Sequence, residues 1–551
     1  MIHATPHLPS ADGAIDAAAL LAALPARIDA IPRRAAARAP DAPALRQDGR
    51  TLGYAGLVTA IDRYADLLRA RGVRAGDRVL LVSENCIEQV ALLFAAATLD
   101  AWIVNVNARL SAPELDAIRS HCGARLALYT AAVSPEAAAH GARDGAVDAG
   151  MDAPAGAPGG LLVGPTDHAC APEALDPDPA RRIAALVYTT GTTGRPKGVM
   201  LSHRNLLFVA AVSSRLRGLT PQDRAWGALP VSHVYGLTSM MLGTLHAGAC
   251  LHLAPRFTPQ AMLAALRDDG LTIVQGVPAM YARLLELREP GGSAAGRDIA
   301  PALRFAYAGG APLDPALKRD VEALLGVPLH NGYGLSEAAP TVSQTRLDAP
   351  RADTSVGLPI PGVEVRIAAH DGTPLPSGET GELWVRGPNV MLGYYRMPAP
   401  DDGMHATAGV QPDGWLNTGD MARCDADGAL FIVGRTREMI IRSGFKVFPL
   451  EVETVLNAHP AVTQSAVVGR AIAGGNEEVI AFVQPDARHA LPAAGLAADL
   501  ADDLANALRA WCAARLAPYK RPSRIVVMDA LPAAPSGKVL KHALKALAQA
   551  S

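Results

Sequence analysis

The sequence predicts an α/β protein. A large N-terminal domain of stacked, mixed α/β sheets with a β-rich subdomain is expected over residues 1–436, and a small, mobile C-terminal α+β domain over 437–551. Three observations carry this. The 551 residues exceed one ordinary core. Apolar runs of strand length alternate with helical stretches as far as residue 310, which argues for parallel strands covered by helices. From about residue 354 short strands separated by Gly, Pro and Asp take over, and beyond Arg437 a compact α/β pattern long enough for a small domain follows.

The elements follow in order. Residues 15–72 read as helices rich in Ala, Leu and Arg, with Thr51–Tyr54 as a short strand and turn. Val79–Val82 is a strand, Glu88–Leu99 a buried helix, Trp102–Val106 a second strand, and a helix starts at Pro113. Most of 131–182, crowded with Ala, Gly, Pro and Asp, reads as a surface excursion without chemistry. Ile183–Tyr188 is a buried strand, and Ser202 caps a helix running to about Arg217. Strands are then expected at Ala228–Val231, Ala249–Leu253, Thr272–Gln275 and Leu303–Ala308, with helices between them. In the C-terminal part a strand at Glu438–Arg442 precedes a helix opened by Pro449. Strands near 464–468, 478–484 and 524–528 follow, with a helix whose one face carries Leu496, Leu500, Leu504, Leu508 and Trp511, and a terminal helix closes the chain.

Composition narrows the function. With 51 basic and 53 acidic residues there is no electrostatic case for nucleic acid or an anionic membrane. Six scattered cysteines without a CxxC pair argue against a disulfide framework or zinc site and for a reducing cytoplasm. The N-terminus carries no charged-then-apolar signal pattern, and the longest apolar run, Val90–Val106, is broken by Asp100 and short for a bilayer.

The chemistry centres on Tyr188-Thr-Thr-Gly-Thr-Thr-Gly-Arg-Pro-Lys-Gly-Val-Met-Leu-Ser-His203. Gly191, Gly194 and Gly198 let backbone approach a ligand closely. The hydroxyls of Thr189, Thr190, Thr192 and Thr193 and the ammonium of Lys197 suit a triphosphate. This is not a Walker A loop, because Gly198 stands where Ser or Thr would follow the lysine. Taken alone, such a run could also be a plain Gly/Thr turn. In Asn331-Gly-Tyr-Gly-Leu-Ser-Glu337 an aromatic beside glycines can stack on a purine, Ser336 can donate to phosphate, and Glu337 can hold Mg²⁺ while phosphates supply other ligands. Asp420, ending Gly414-Trp-Leu-Asn-Thr-Gly-Asp420, has two acceptor oxygens for ribose hydroxyls, and Arg435 follows in Phe431-Ile-Val-Gly-Arg435.

These motifs resemble, in order, those of the adenylate-forming (AMP-binding) superfamily, within which the chain looks like an acyl-CoA synthetase. The resemblance implies ATP, Mg²⁺ held through Glu337, coenzyme A and a carboxylic acid as cofactors and substrates. It assigns ATP binding to Thr189, Thr190, Gly191, Thr192, Thr193, Gly194, Gly310, Ala311, Asn331, Gly332, Tyr333, Gly334, Ser336, Asp420, Arg435 and Lys538. Catalytic roles fall to Lys197, His233 and Lys538, the last in Pro535-Ser-Gly-Lys-Val-Leu-Lys541, where Lys541 is expected on the helix surface. Ser443 and Gly444 match the passage for the pantetheine thiol, and Arg437 the hinge, where relatives most often carry Asp or Lys. Lys446, where many relatives have Asn, meets phosphate or solvent.

The resemblance of Leu229-Pro-Val-Ser-His-Val-Tyr-Gly236 to the superfamily's acyl-site motif implies an acid pocket. It would be formed by His233, Val234, Tyr235, Gly236, Val277, Ala308, Gly309, Gly310 and Gly334. Ser232 stands where relatives often have Phe. Small residues there argue against an acetate-sized pocket, and the lack of Arg or Lys among them weakens a dicarboxylate reading. A medium or long fatty acid, or an aryl acid, remains. A carrier protein as acyl acceptor, a luciferase-like oxygenase and a non-catalytic nucleotide-binding regulator are the alternatives, and a homodimer stays open.

Overall fold

The computed structural model describes residues 15–150, 160–190, 196–287, 296–396, 409–442, 445–472, 476–486, 498–533 and 539–550. Two large sheets dominate, both parallel at the centre and antiparallel at their edges. The first runs Val147–Asp148, Leu161–Val163, Leu126–Thr130, Arg78–Ser83, Trp102–Asn107, Ile183–Thr190, Pro196–Ser202. The second has nine strands, in the order Leu358–Pro359, Thr341–Gln344, Leu329–Gly334, Phe305–Ala308, Ile273–Gly276, Arg224–Gly227, Cys250–Leu253, Pro43–Gln47, Arg50–Gly53. A four-stranded antiparallel sheet follows, made of Glu364–Ala368, Gly381–Arg386, Leu416–Cys424 and Leu430–Arg435.

The helix Ile87–Thr98 is buried around nearly its whole circumference, as is most of His203–Leu216. Such helices have no polar face because they have no solvent face. Their side chains fill one continuous apolar core that extends from Leu20 to Leu430 and includes residues of both large sheets. Separate apolar clusters hold the segment from Ile440 to Ala548 together around the three strands Val462–Ile472, Asn476–Pro485 and Arg524–Val527. Among the described residues no helix is long and apolar enough to cross a membrane.

Four expectations need correction. The strand expected at Ala228–Val231 lies at Arg224–Gly227. The backbone just beyond it is satisfied by a side chain: Asn85 Nδ2 donates to the carbonyls of Gly227 and Leu229, and Val231 N–H donates to Asn85 Oδ1. A backbone so satisfied has no need of a ladder. Residues 131–182 are not mere excursion. Leu161–Val163 pairs antiparallel with Leu126–Thr130, Pro135–Arg143 is helical, and Glu173 accepts a hydrogen bond from Tyr395. The strand after residue 438 begins at Ile440, behind a 3₁₀ turn at Thr436–Glu438. Lys541 is no surface lysine; its ammonium lies between Glu438 (2.9 Å) and Glu453 (2.8 Å), two carboxylates that hold its pKa up against burial.

The N-terminus of the helix His203–Leu216 joins the outer strand of the first large sheet to the segment 388–390. Ser202 and Asn205 form a reciprocal capping box, and Asn205 Nδ2 also donates to the carbonyls of Pro388 and Val390. Asn205→Ala keeps the Ser202 cap but removes the reciprocal half of the box, and it strands the Pro388 and Val390 carbonyls. We expect it to cost about 2 kcal/mol, measured as a lowered midpoint of the first urea-unfolding transition.

Candidate functional site

The strands Ile183–Thr190 and Pro196–Ser202 form a hairpin in which Thr189 faces Lys197 and Tyr188 faces Gly198. Its tip, with Gly191, Thr192, Thr193 and Gly194, lies outside the described residues. A second segment is laid along its outer strand. Met200 N–H donates to the Gly393 carbonyl, Leu392 N–H to that of Met200, and Tyr395 N–H to that of Gly198. This registers Tyr394 against the hairpin. The Lys197 ammonium stands 5.2 Å from the centre of the Tyr394 ring, and the Tyr394 hydroxyl donates to Glu337 Oε1 at 2.6 Å. Burial and the neighbouring carboxylate push the Tyr394 phenol far up, so it stays a donor. Sequence reasoning missed Tyr394. The one visible signal was the aromatic pair after Gly393.

Glu337 fits a magnesium ion. One of its oxygens is held by Tyr394, which leaves the other to a ligand. Among the described residues no group of three or more His, Cys, Asp or Glu side chains could hold a metal. A single carboxylate completed by substrate phosphates is the donor set Mg²⁺ takes, rather than a closed protein cage.

The second constellation is Asp420, buried to 4 % exposure. It stands opposite Arg435 across the antiparallel pair and meets Arg435 Nε at 3.1 Å. Its other oxygen accepts from the Tyr333 hydroxyl at 2.5 Å. Burial and Asp420 keep that phenol protonated. An ionised carboxylate has two acceptor oxygens, and both of those of Asp420 are turned toward the Tyr333–Arg435 side. Tyr333 is thereby fixed in orientation by its hydroxyl. Thr418, quoted in the motif but given no role of its own, positions the turn: its hydroxyl donates to the Leu383 carbonyl and accepts from Asp420 N–H. Asn331 is spent structurally, its amide donating to the carbonyls of Thr354 and Ser355. Ser336 is buried at the start of the 3₁₀ turn that carries Glu337.

The third region joins three segments. Tyr235–Leu242 is a π-helix, a wide turn often found at functional sites. Gly236 is required at its start, because a Cβ there would lie 2.1 Å from the Pro230 carbonyl oxygen. Gly309 lies against the buried Tyr235 ring and Gly310 against Val277. Tyr235 and Tyr307 meet edge to face at 6.4 Å. Val234 and Ala308 are buried, Gly334 is half-buried against Pro340, and His233 is exposed with Nδ1 accepting from Tyr235 N–H. Gly310 is exposed and Ala311 half-buried, at the open end of the strand Phe305–Ala308. Gly332 admits no side chain; a Cβ would stand 1.7 Å from the Tyr307 hydroxyl.

The structure therefore brings Lys197 and Glu337 together through Tyr394, Asp420 and Arg435 together with Tyr333, and His233, Gly309 and Gly310 around Tyr235, while Gly334 packs against Pro340. Arg437 is exposed in the turn Thr436–Glu438, and Lys446 faces solvent. Lys538, Ser443 and Gly444 lie outside the described residues.

Known proteins resemble this chain over nearly its whole length. The AMP-binding enzyme family matches residues 32–395, and the AMP-binding enzyme C-terminal domain matches 451–538. A feruloyl-CoA synthase of Amycolatopsis sp. is 36% identical over 93% of this chain and 96% of its own. A long-chain-fatty-acid–CoA ligase of Yersinia pestis is 32% identical over 93% and 92%. The O-succinylbenzoate coenzyme A synthetase of Bacillus subtilis, solved with ATP and a magnesium ion, superposes with a TM-score of 0.74 at 27% identity over 94% of this chain and 99% of that one. The chain belongs to the AMP-binding enzyme family.

Proposed function

We propose that this protein is an ATP-dependent, AMP-forming acid–CoA ligase acting on an aromatic or fatty acid. The observation that carries the reading is the joining of Lys197 and Glu337 through Tyr394, one cation and one carboxylate positioned for a triphosphate. In the first step a carboxylate oxygen of the acid attacks the α-phosphorus of ATP, the bond to the β-phosphate oxygen breaks, and pyrophosphate leaves. In the second, the CoA sulfur attacks the acyl carbon, the acyl–phosphate bond breaks, AMP departs and the thiol proton is released.

The work of the side chains is positioning and electrostatic stabilisation. Lys197 and Thr189, with the residues of the hairpin tip, would hold the β- and γ-phosphates as charge builds on them. Mg²⁺, bound through Glu337, would offset the charge of the leaving pyrophosphate. Asp420 would receive the ribose hydroxyls, with Arg435 and Tyr333 fixing its orientation. The edge of Tyr333 and the Gly310–Ala311 backbone would bound the adenine, and Tyr235, Gly236, Val277, Ala308 and Gly309 the acyl group, with His233 at its mouth. Lys538 would bridge the acid carboxylate and the α-phosphate, then withdraw while Ser443 and Gly444 line the thiol's approach.

The exchange requires the segment 437–551 to reorient against 1–436 about Arg437. The division of the apolar clusters between Leu430 and Ile440 supports that boundary. All six cysteines are buried free thiols, which supports a reducing compartment such as the cytoplasm. Every assigned residue lies on one chain, so the reading is compatible with a homodimer without requiring it.

Pyrophosphate release with ATP, Mg²⁺ and a panel of fatty and aromatic acids, with and without CoA, tests the activity. Release that needs an acid and rises with CoA is the expected result. Acid-dependent release indifferent to CoA would shift the acceptor to a carrier protein, and none with any acid would refute the ligase reading.

Tyr394→Phe deletes one charge-assisted hydrogen bond at Glu337. We expect a tenfold to hundredfold loss in kcat/KM for pyrophosphate release, about 1.5–3 kcal/mol, with the KM for the acid unchanged. Lys538→Ala should slow adenylation by roughly 10²–10³-fold yet spare thioester formation from supplied acyl-AMP. Equal losses in the two half-reactions would contradict its assignment.

A further inference from the structure

The hairpin Ile183–Ser202 has two unlike faces, because side chains along a strand point alternately to either side. One face turns to the continuous core and carries Val187, Val199 and Leu201. Thr189 and Lys197, opposite one another toward the tip, share that face. So does Tyr394, which stands opposite Val199 in an antiparallel bridge. The other face turns to a separate apolar cluster and carries Leu186, Tyr188 and Met200, with Tyr395 beside them. The candidate triphosphate site is on the first face, and its backing is on the second.

One polar bond holds that backing. Tyr188 stands opposite Gly198, and a Cβ on Gly198 would meet the Tyr188 ring at 3.2 Å. The ring therefore lies across the hairpin. Its hydroxyl is 2.7 Å from Nδ1 of His121. The imidazole meets the Tyr188 and Tyr395 rings edge to face, with centres 5.7 Å and 5.8 Å away. Burial, then Arg396, holds the His121 pKa down, and burial pushes the Tyr188 phenol far up. A neutral imidazole nitrogen thus faces a phenol that keeps its proton.

His121 is a fixed point. It is the last residue but one of the helix Ala112–Cys122, which Gly123 closes in the left-handed conformation (φ 59°). The buried Arg78 donates to the carbonyls of Cys122 and Gly123 and holds that helix end in place. The ladder from the hairpin to the strand Trp102–Asn107 is registered at Ala185, opposite Ile103, three residues before Tyr188. Toward the tip the outer strand is held by the segment 391–395, and the inner strand by His121. An anchor on one face fixes the aim of the other, because both sets of side chains leave one backbone. Turning Tyr188 turns Thr189 with it, and Lys197 across the ladder.

We propose that His121 is a positioning residue for the triphosphate: through the Tyr188 hydroxyl it fixes the base of the hairpin, and with it the aim of Thr189 and Lys197 at the β- and γ-phosphates. This rests on the nucleotide site assigned under the ligase reading above. AMP has no β- and γ-phosphates, so its binding does not depend on the anchor.

The test is calorimetric binding of MgATP and of AMP to the whole chain, beside pyrophosphate release by the wild type with the panel of acids. His121→Phe keeps an edge-on ring and Tyr188→Phe keeps the strand aromatic, and each deletes the hydrogen bond. Each should raise the Kd for MgATP about five- to tenfold, the range of one neutral hydrogen bond. The Kd for AMP should stay within about twofold of wild type. The double variant should bind MgATP no more weakly than either single one, because both remove the same bond. His121→Asn, whose side-chain oxygen sits as many bonds from the backbone as Nδ1, should recover most of the loss. Equal weakening of MgATP and AMP would mark a general structural role and overturn the proposal. So would unchanged MgATP binding in both Phe variants, or losses that multiply in the double variant. Should His121→Phe not fold, Tyr188→Phe decides alone. MgATP binding weakened as expected, beside a wild type that releases no pyrophosphate with any acid, keeps the anchor and refutes the ligase. Pyrophosphate release beside unchanged MgATP binding in the variants does the reverse. A wild type that binds neither nucleotide refutes both.

Discussion

The short ladder between the segment 391–395 and the hairpin Ile183–Ser202 is the constraint on which the rest of the candidate site depends. Three backbone hydrogen bonds fix its register, and Met391 N–H donates onward to the Glu337 carbonyl. Through these bonds one strip of chain sets both the lysine of the hairpin and the carboxylate of the turn at residue 337. Its upstream end is held by Asn205 at a helix N-terminus, and its downstream end by Tyr395, whose hydroxyl donates to Glu173. A hairpin at the edge of a sheet would otherwise present unpaired donors and acceptors. Here that edge is the means by which distant parts of the chain are joined.

Much of this could be read from the residues. The parallel centre of the large sheets followed from alternating strand and helix lengths, and helices such as Ile87–Thr98 showed as unbroken apolar runs because they have no solvent face. Lys197, Glu337 and Asp420 were legible because their chemistry needs Gly, Thr and carboxylate in local order. What could not be read were contacts made across the chain. Tyr394 looks like any strand aromatic until the ladder carries it over Lys197. The strand Leu126–Thr130 carries no turn chemistry to announce it, and its neighbour Leu161–Val163 lay in a stretch whose composition suggested only loop. Lys541 seemed a helix-surface residue because nothing local hints that Glu438 and Glu453 converge on it.

Buried polar side chains do the work of secondary structure at several of the joints. Arg78, itself buried, donates to the carbonyls of Gly76, Cys122, Gly123 and Ala171, closing three chain segments around one guanidinium. Asn85 serves the backbone after residue 227 in the same way. Each leaves several unmatched carbonyls when removed, so these positions are intolerant beyond what their size suggests.

The turn Thr436–Glu438 lies between two ion pairs. On one side Arg435 is held by Asp420, on the other Glu438 is held by Lys541. The chain is clamped to the nucleotide-side sheet up to one residue and to the C-terminal unit from three residues later. Any swing between the two bodies must then be absorbed by the few backbone dihedrals around Thr436 and Arg437. This is a stretch with little slack: the axis of any such swing would be set by where the two ion pairs sit.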